Sequence, residues 1–193
     1  MSAKREEMKR CPWVPLNDPP YAKYHDIEWG VPIHDDLTLF EFLVLESAQA
    51  GLSWRTVLYK RNSYRKAFAN FDYKKVARFT KHDVARLLKD KRIIRNRLKI
   101  EAAINNARRF LEVQKEFGSF AAYARTFVCG KPIVHKLKKL TDYPEHIPEA
   151  VAFSFDLKKR GFKFLGPKII YAHMQATGMV NDHTINCFRR KEV

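Results

Sequence analysis

Cysteine is scarce: only Cys11, Cys129 and Cys187 occur in 193 residues. Spaced so far apart, they form no disulfide framework, which excludes a small stapled extracellular domain and fits a reducing compartment. Cys129 then reads as a buried thiol. No apolar run is long enough to cross a bilayer, and the opening MSAKREEMKR lacks the apolar stretch of a secretory signal. The expectation is an intracellular, cytoplasmic protein with no membrane partner. Acidic charge is short as well, with 21 Asp and Glu against 37 Lys and Arg, leaving +16 at neutral pH. Strand-like alternation persists nowhere and no internal repeat appears, which excludes sheet sandwiches and repeat arrays.

What is present is enough for a core. Apolar residues make up 46% and aromatics 13% of the chain, a composition that folds, and the length suits one domain or two small lobes sharing an interface. The cationic surplus is clustered. From Arg86 to Arg109, nine Lys and Arg face only Asp90 and Glu101, with further groups at Lys136, Lys138 and Lys139 and at Lys158 to Lys163. Such a surface attracts polyanions, nucleic acid being the commonest, although solubility or an anionic membrane would explain the same charge.

Helical periodicity dominates, so the fold class is all-α. Asp35 or Asp36 caps a helix through Leu37, Phe40, Val44 and Ala48 that is apolar nearly all round and therefore central. Gly51 ends it and Ser53 caps the next. Thr80 and Asp83 resemble a capping box. After Asn96 comes an amphipathic helix with Ile100, Ala103, Ile104, Ala107 and Leu111 on one face, stopping at Gly118. Residues 131–148 read as a basic, Pro-bearing connector, followed by helices over roughly 149–159 and 167–177 joined by the link Arg160 to Gly166.

Three constellations carry chemistry. Cys11 with His25 near the start, and His183 with Cys187 near the end, offer the four ligands of a closed tetrahedral zinc site, and His183-x3-Cys187 places two of them on one helical face. Spacing alone leaves open two unrelated buried cysteines and two surface histidines. The link between the last two helices has Gly161 and Gly166 at its ends and lysines around it, as suits a helix-hairpin-helix that grips DNA backbone through main-chain N–H groups and a helix N-terminus. An ordinary αα-hairpin fits the same pattern. Finally, Trp13, Tyr21, Tyr24 and Trp29 crowd the N-terminal segment, Trp54 follows the central helix, and Glu46 lies inside that helix. A carboxylate there needs a partner or a function, and flat rings with one carboxylate make a pocket for a cationic heterocycle.

The segments RCPWVPLNDPPYAKYHDIEWGVP (10–32), LESAQAGLSWRTVL (45–58), LKKRGFKFLG (157–166) and YAHMQATGMVNDHTINC (171–187) closely resemble the 3-methyladenine DNA glycosylase I family. The likeness runs from Cys11 to Cys187 and is weakest across 119–150. It implies a helix-hairpin-helix glycosylase fold with two helical lobes over 11–193, a flexible basic extension over 1–10, and hydrolytic excision of 3-methyladenine from alkylated duplex DNA by a bacterial, nucleoid-associated monomer. It further implies one structural zinc on Cys11, His25, His183 and Cys187, tying the chain ends together. Glu46, Tyr24 and Trp54 match residues that hold the excised base, and Tyr21, Trp13 and Trp29 match its aromatic surroundings. Gly161, Lys163, Gly166 and Lys168 fall in the DNA-gripping hairpin.

Where the wider superfamily carries a catalytic Asp, this chain has Asn181. The absence is tolerable because methylation makes the adenine cationic, so the base departs neutral and needs little acid catalysis. Lys168 occupies the place of the Schiff-base lysine of strand-cleaving relatives; as a phosphate contact or surface charge it needs no such role. Arg92 and Leu98 stand where the family commonly has glycines. The rival readings are a non-catalytic, zinc-stapled DNA-binding module, which has no need of Glu46, Tyr24 and Trp54, and a zinc deaminase, for which no H-x-E with P-C-x-x-C is present.

Overall fold

A computed structural model describes residues 8–193, and the chain is mostly helical. The first helix, α1 (Pro19–Ile27), begins with two prolines at the positions where no main-chain donor is required, and the Asp18 carboxylate accepts from Tyr21 N. Helix α2 (Asp36–Gln49) is the spine: every residue from Leu39 to Ala48 is buried, and it packs on α3 (Trp54–Ala67), α6 (Arg97–Phe117), α7 (Phe120–Arg125) and α9 (Pro167–Ala176). Its cap is Asp35, whose carboxylate accepts from Thr38 N at 2.9 Å. Asp36 does a different task, accepting from Phe120 N and Ala121 N at 2.9 Å each and so capping α7 across the core.

Short helices α4 (Tyr73–Val76) and α5 (Lys81–Lys89) cover one side of α6, and Asp83 accepts from Thr80 N at 2.9 Å as the capping box predicts. Helix α6 runs 21 residues from its Asn96 cap to Gly118, where φ of +82° closes it. Helix α8 (Pro148–Lys159) then packs along α9, forming the hairpin read from the sequence.

Two features differ from expectation. The 131–148 connector holds a two-residue strand, β1 (Ile133–Val134), paired in parallel with β2 (Val180–Asn181). Two residues are too few to show alternation, so the pairing arises from tertiary contact. Cys129 is exposed rather than buried: it sits at φ +51° in the turn after α7, whose tight path points the thiol outward. Of the basic 1–10 extension, residues 1–7 lie outside the described residues. Arg10 meets Asp26 through two guanidinium nitrogens, at 2.8 and 2.7 Å, and the Lys9 carbonyl accepts from Phe188 N at 3.0 Å. Among the described residues no helix is long and apolar enough to cross a membrane.

Candidate active site

All four sequence-derived ligands come together. Cys11, His25, His183 and Cys187 are buried, with their ligand atoms within 4.8 Å of one another. The Cys187 sulfur lies 3.4 Å from His25 Nε2 and 3.4 Å from His183 Nδ1, and the Cys11 sulfur is 3.5 Å from His183 Nδ1. Each imidazole uses its other nitrogen outward: His25 Nδ1 donates to Asp26 at 2.8 Å and His183 Nε2 donates to the Trp29 carbonyl at 3.1 Å. Those bonds fix the tautomers and leave a lone pair on each ring facing the sulfurs, so the cluster could hold a metal ion. Gly30 makes the approach possible. Its φ is +84°, and a Cβ there would stand 2.9 Å from His183 Nε2.

The cluster backs onto a cleft of about 170 Å³. Trp13, two residues after Cys11, contacts His25 edge-on at 5.2 Å and Trp29 at 4.8 Å; Trp29 contacts His183 at 4.6 Å. Tyr24, next to His25 on α1, tilts against Trp54 at 5.2 Å from the start of α3. All six residues assigned to the base pocket, namely Trp13, Tyr21, Tyr24, Trp29, Glu46 and Trp54, line this one cleft. Among the described residues the buried indole N–H groups of Trp13 and Trp54 have no hydrogen-bond partner, leaving donors unspent.

Glu46 closes the cleft. It is 3% exposed and has neither hydrogen-bond nor ion-pair partner among the described residues, and burial pushes its carboxyl up to about 8. Glu46 and Gln49 also face an adjoining groove of about 320 Å³, bounded by Gly51 and Leu52 on one side and by Lys168 and Ile169 of α9 on the other. The cleft therefore opens toward the α8–α9 hairpin.

Asn181 is elsewhere. It does not line the cleft; its amide donates to the carbonyls of Arg190 and Val193 at 3.1 and 3.0 Å, and its oxygen accepts from His183 N at 3.2 Å. Gly161, Lys163 and Gly166 lie on the hairpin link, and Lys168 begins α9, its ammonium 3.4 Å from Glu145. Sequence reasoning missed what holds this link: Asn106 of α6 accepts from Lys163 N at 2.8 Å and donates to the Lys163 carbonyl at 2.9 Å, while Asn105 donates to the Gly161 carbonyl at 2.8 Å. The same helix sends Lys99 to the carbonyls of Ala48 and Ala50, at 2.8 and 2.6 Å, where α2 ends with no cation of its own. Also missed were Gln49, Tyr143 and Gln175 in the cleft lining. Polar residues on helix faces carry no mark of the cavity they meet.

The profile of the methyladenine glycosylase family matches residues 13–190. The chain belongs to that family. Its similarity to DNA-3-methyladenine glycosylase 1 of Escherichia coli (strain K12) is 48% identity over 180 residues, covering 93% of this chain and 96% of that protein. A crystal structure of 3-methyladenine DNA glycosylase I matches with a TM-score of 0.90 at 48% identity, covering 93% of this chain and 98% of the other. The Staphylococcus aureus 3-methyladenine DNA glycosylase I, whose structure addresses 3-methyladenine recognition, matches at 0.88 and 38% identity, covering 90% of this chain and 93% of the other.

Proposed function

We infer that the protein is a 3-methyladenine DNA glycosylase acting in base-excision repair: it hydrolyses the N-glycosidic bond of 3-methyladenine in alkylated DNA, releasing the base and leaving an abasic site. The observation that carries this reading is the aromatic cleft closed by a buried, unpaired Glu46 in a chain of this family. A flipped, cationic adenine is stacked by Tyr24, Trp54 and Trp13, and Glu46 releases its proton to solvent as the cation enters, its carboxylate then accepting hydrogen bonds from the base. The bonding electrons leave with the base and cancel its charge, while water adds its oxygen to the sugar carbon and gives its proton to solvent. No group need protonate the base, so Asn181, held by the chain's last residues, takes no step. Ordinary adenine brings no charge for Glu46 to meet, which makes selectivity a matter of which bases ionise it.

The hairpin reading supplies the grip on DNA. The Gly161–Gly166 link is clamped by Asn105 and Asn106 and spends the N–H groups of Gly161, Phe162 and Lys163 within the chain, so Phe164, Leu165 and Gly166 carry the main-chain donors left for a DNA phosphate, with Lys163 on the link and Lys168 beside the groove that leads to the cleft. This is the role of a helix-hairpin-helix, and the whole of 11–193 acts as one domain around the cleft. Zinc fits the four-residue cluster: bonds of about 2.3 Å to sulfur and 2.0 Å to nitrogen at tetrahedral angles place sulfur and nitrogen about 3.5 Å apart, close to the separations found. With two Cys and two His the metal keeps no open position, so it supplies structure, holding Trp13 and Tyr24 through their neighbours Cys11 and His25.

The direct experiment is incubation with methylated duplex DNA and identification of the released base. Free 3-methyladenine supports the reading, and binding without release would leave a non-catalytic DNA-binding module. Affinity for any duplex should fall steeply as salt rises, and Lys163→Glu should weaken damaged and undamaged DNA alike. Elemental analysis should find one zinc per chain, lost in Cys187→Ala.

A further inference from the structure

Asp182 is wholly buried and belongs to none of the roles above. Its carboxylate receives three donors: His135 Nδ1 at 2.6 Å, Gln175 Nε2 at 2.7 Å and the Tyr171 hydroxyl. Its main-chain carbonyl accepts from the Tyr143 hydroxyl at 3.0 Å. Gln175 and Tyr143 both line the cleft, so one residue anchors two members of its wall. The consequence for Gln175 is chemical. A carboxylate only accepts, so the amide must turn its NH2 toward Asp182, and its oxygen is directed away from that partner. That oxygen accepts no hydrogen bond among the described residues, and the cleft is the space Gln175 borders. A primary amide is ordinarily ambivalent; this one has been given a polarity.

The geometry points to Gln175 as a specificity-determining residue that reads a hydrogen-bond donor on the bound base, with Asp182 as the positioning residue that fixes which end of the amide faces it. The chemical class selected is a purine carrying an exocyclic amine, and a base with a carbonyl at that place meets an acceptor facing an acceptor. This rests on the reading that the cleft holds 3-methyladenine. It adds a second acceptor, independent of Glu46, whose direction is set by a residue that never touches the base.

The test compares binding of free 3-methyladenine and free 3-methylhypoxanthine, followed by tryptophan fluorescence from Trp13 and Trp54. The native protein should prefer the amine by about tenfold or more. Gln175→Leu should weaken 3-methyladenine binding by about tenfold and collapse the preference. Asp182→Asn, which lets the amide turn over, should narrow the preference as well, yet change nothing further in the Gln175→Leu background. Native metal content in each variant is the control for the neighbouring His183. A preference unchanged in Gln175→Leu overturns the proposal, as does an Asp182→Asn effect that persists without Gln175. Should Asp182→Asn fail to fold, Gln175→Leu alone decides. A native protein that binds neither base and excises nothing would instead overturn the glycosylase reading.

Discussion

Helix α2 carries two buried glutamates five residues apart, and the fold treats them in opposite ways. Glu41 is surrounded by charge: Arg61 Nε donates to it at 2.7 Å and Arg65 Nε at 2.9 Å, and Arg61 reaches on to Glu28. Glu46, one and a half turns later, has rings around it and no ion-pair partner among the described residues. A carboxylate that has its cations within the chain is tied into the scaffold, whereas burial alone acts on one without them. The same type of side chain is held by two arginines at one position of the helix and faces the cleft at the other.

Breaking the first member should have the largest effect on stability. Glu41→Gln leaves Arg61, itself 8% exposed, paired only with the more exposed Glu28, and removing one partner of a buried ion pair costs about 3 kcal/mol. Chemical denaturation should show that loss. Glu46→Gln should have the opposite sign. Because the folded carboxyl holds its proton up to about 8 while its ordinary value is 4.5, the native protein's margin is whole below pH 4.5 and declines as pH rises through 8. The Gln variant lacks that decline, so at pH 9 it should be the more stable protein, by on the order of 3 kcal/mol. A variant less stable than native at pH 9 would contradict the absence of a partner for Glu46.

Activity sharpens the contrast. Capturing a cation requires the ionised form, so kcat/KM on methylated DNA should rise with pH and level off above about 8. In Glu46→Gln that rise should vanish and binding of free 3-methyladenine should weaken markedly, while excision falls less than loss of an essential acid would cause. A variant that lost turnover yet bound the base normally would make Glu46 the catalytic carboxylate. The smallest effect belongs to Arg65→Met. Its side chain is 42% exposed, and Glu41 retains Arg61, so solvent screening should hold the cost to about 1 kcal/mol or less.

How much of this was legible in sequence follows the range of each signal. Caps and stops were readable because they act over a single turn: Asp35, Ser53, Asn96 and Gly118 sit where local chemistry places them. The four metal-capable residues and the six aromatic and acidic cleft residues could be named because their types are rare and the family resemblance aligned them. Asp182, Gln175, Asn106 and Lys99 could not. Asp and Gln are common on helix faces and in loops, and what distinguishes these four is a partner dozens of residues away or a cavity wall, which exists only after folding. The β1–β2 pairing and the exposed thiol of Cys129 were hidden for the same reason. Asn181 shows the converse: a position aligned by its neighbours proved to be occupied with the chain terminus.

The meeting of residues 9–11 with 183–188 has a consequence of its own. Since the Lys9 carbonyl is joined to Phe188 N and Cys11 lies against His183, the polypeptide is in effect a ring with a clasp. Neither of these two segments can come away without opening the other's contacts, whereas the exposed turn at Leu140 and Thr141 lies outside the clasp. It also means that the order of the segments along the chain is negotiable. A circular permutant cut at that turn, with a short linker joining the segments on either side of the clasp, keeps the Lys9–Phe188 and Cys11–His183 contacts within one continuous stretch of chain.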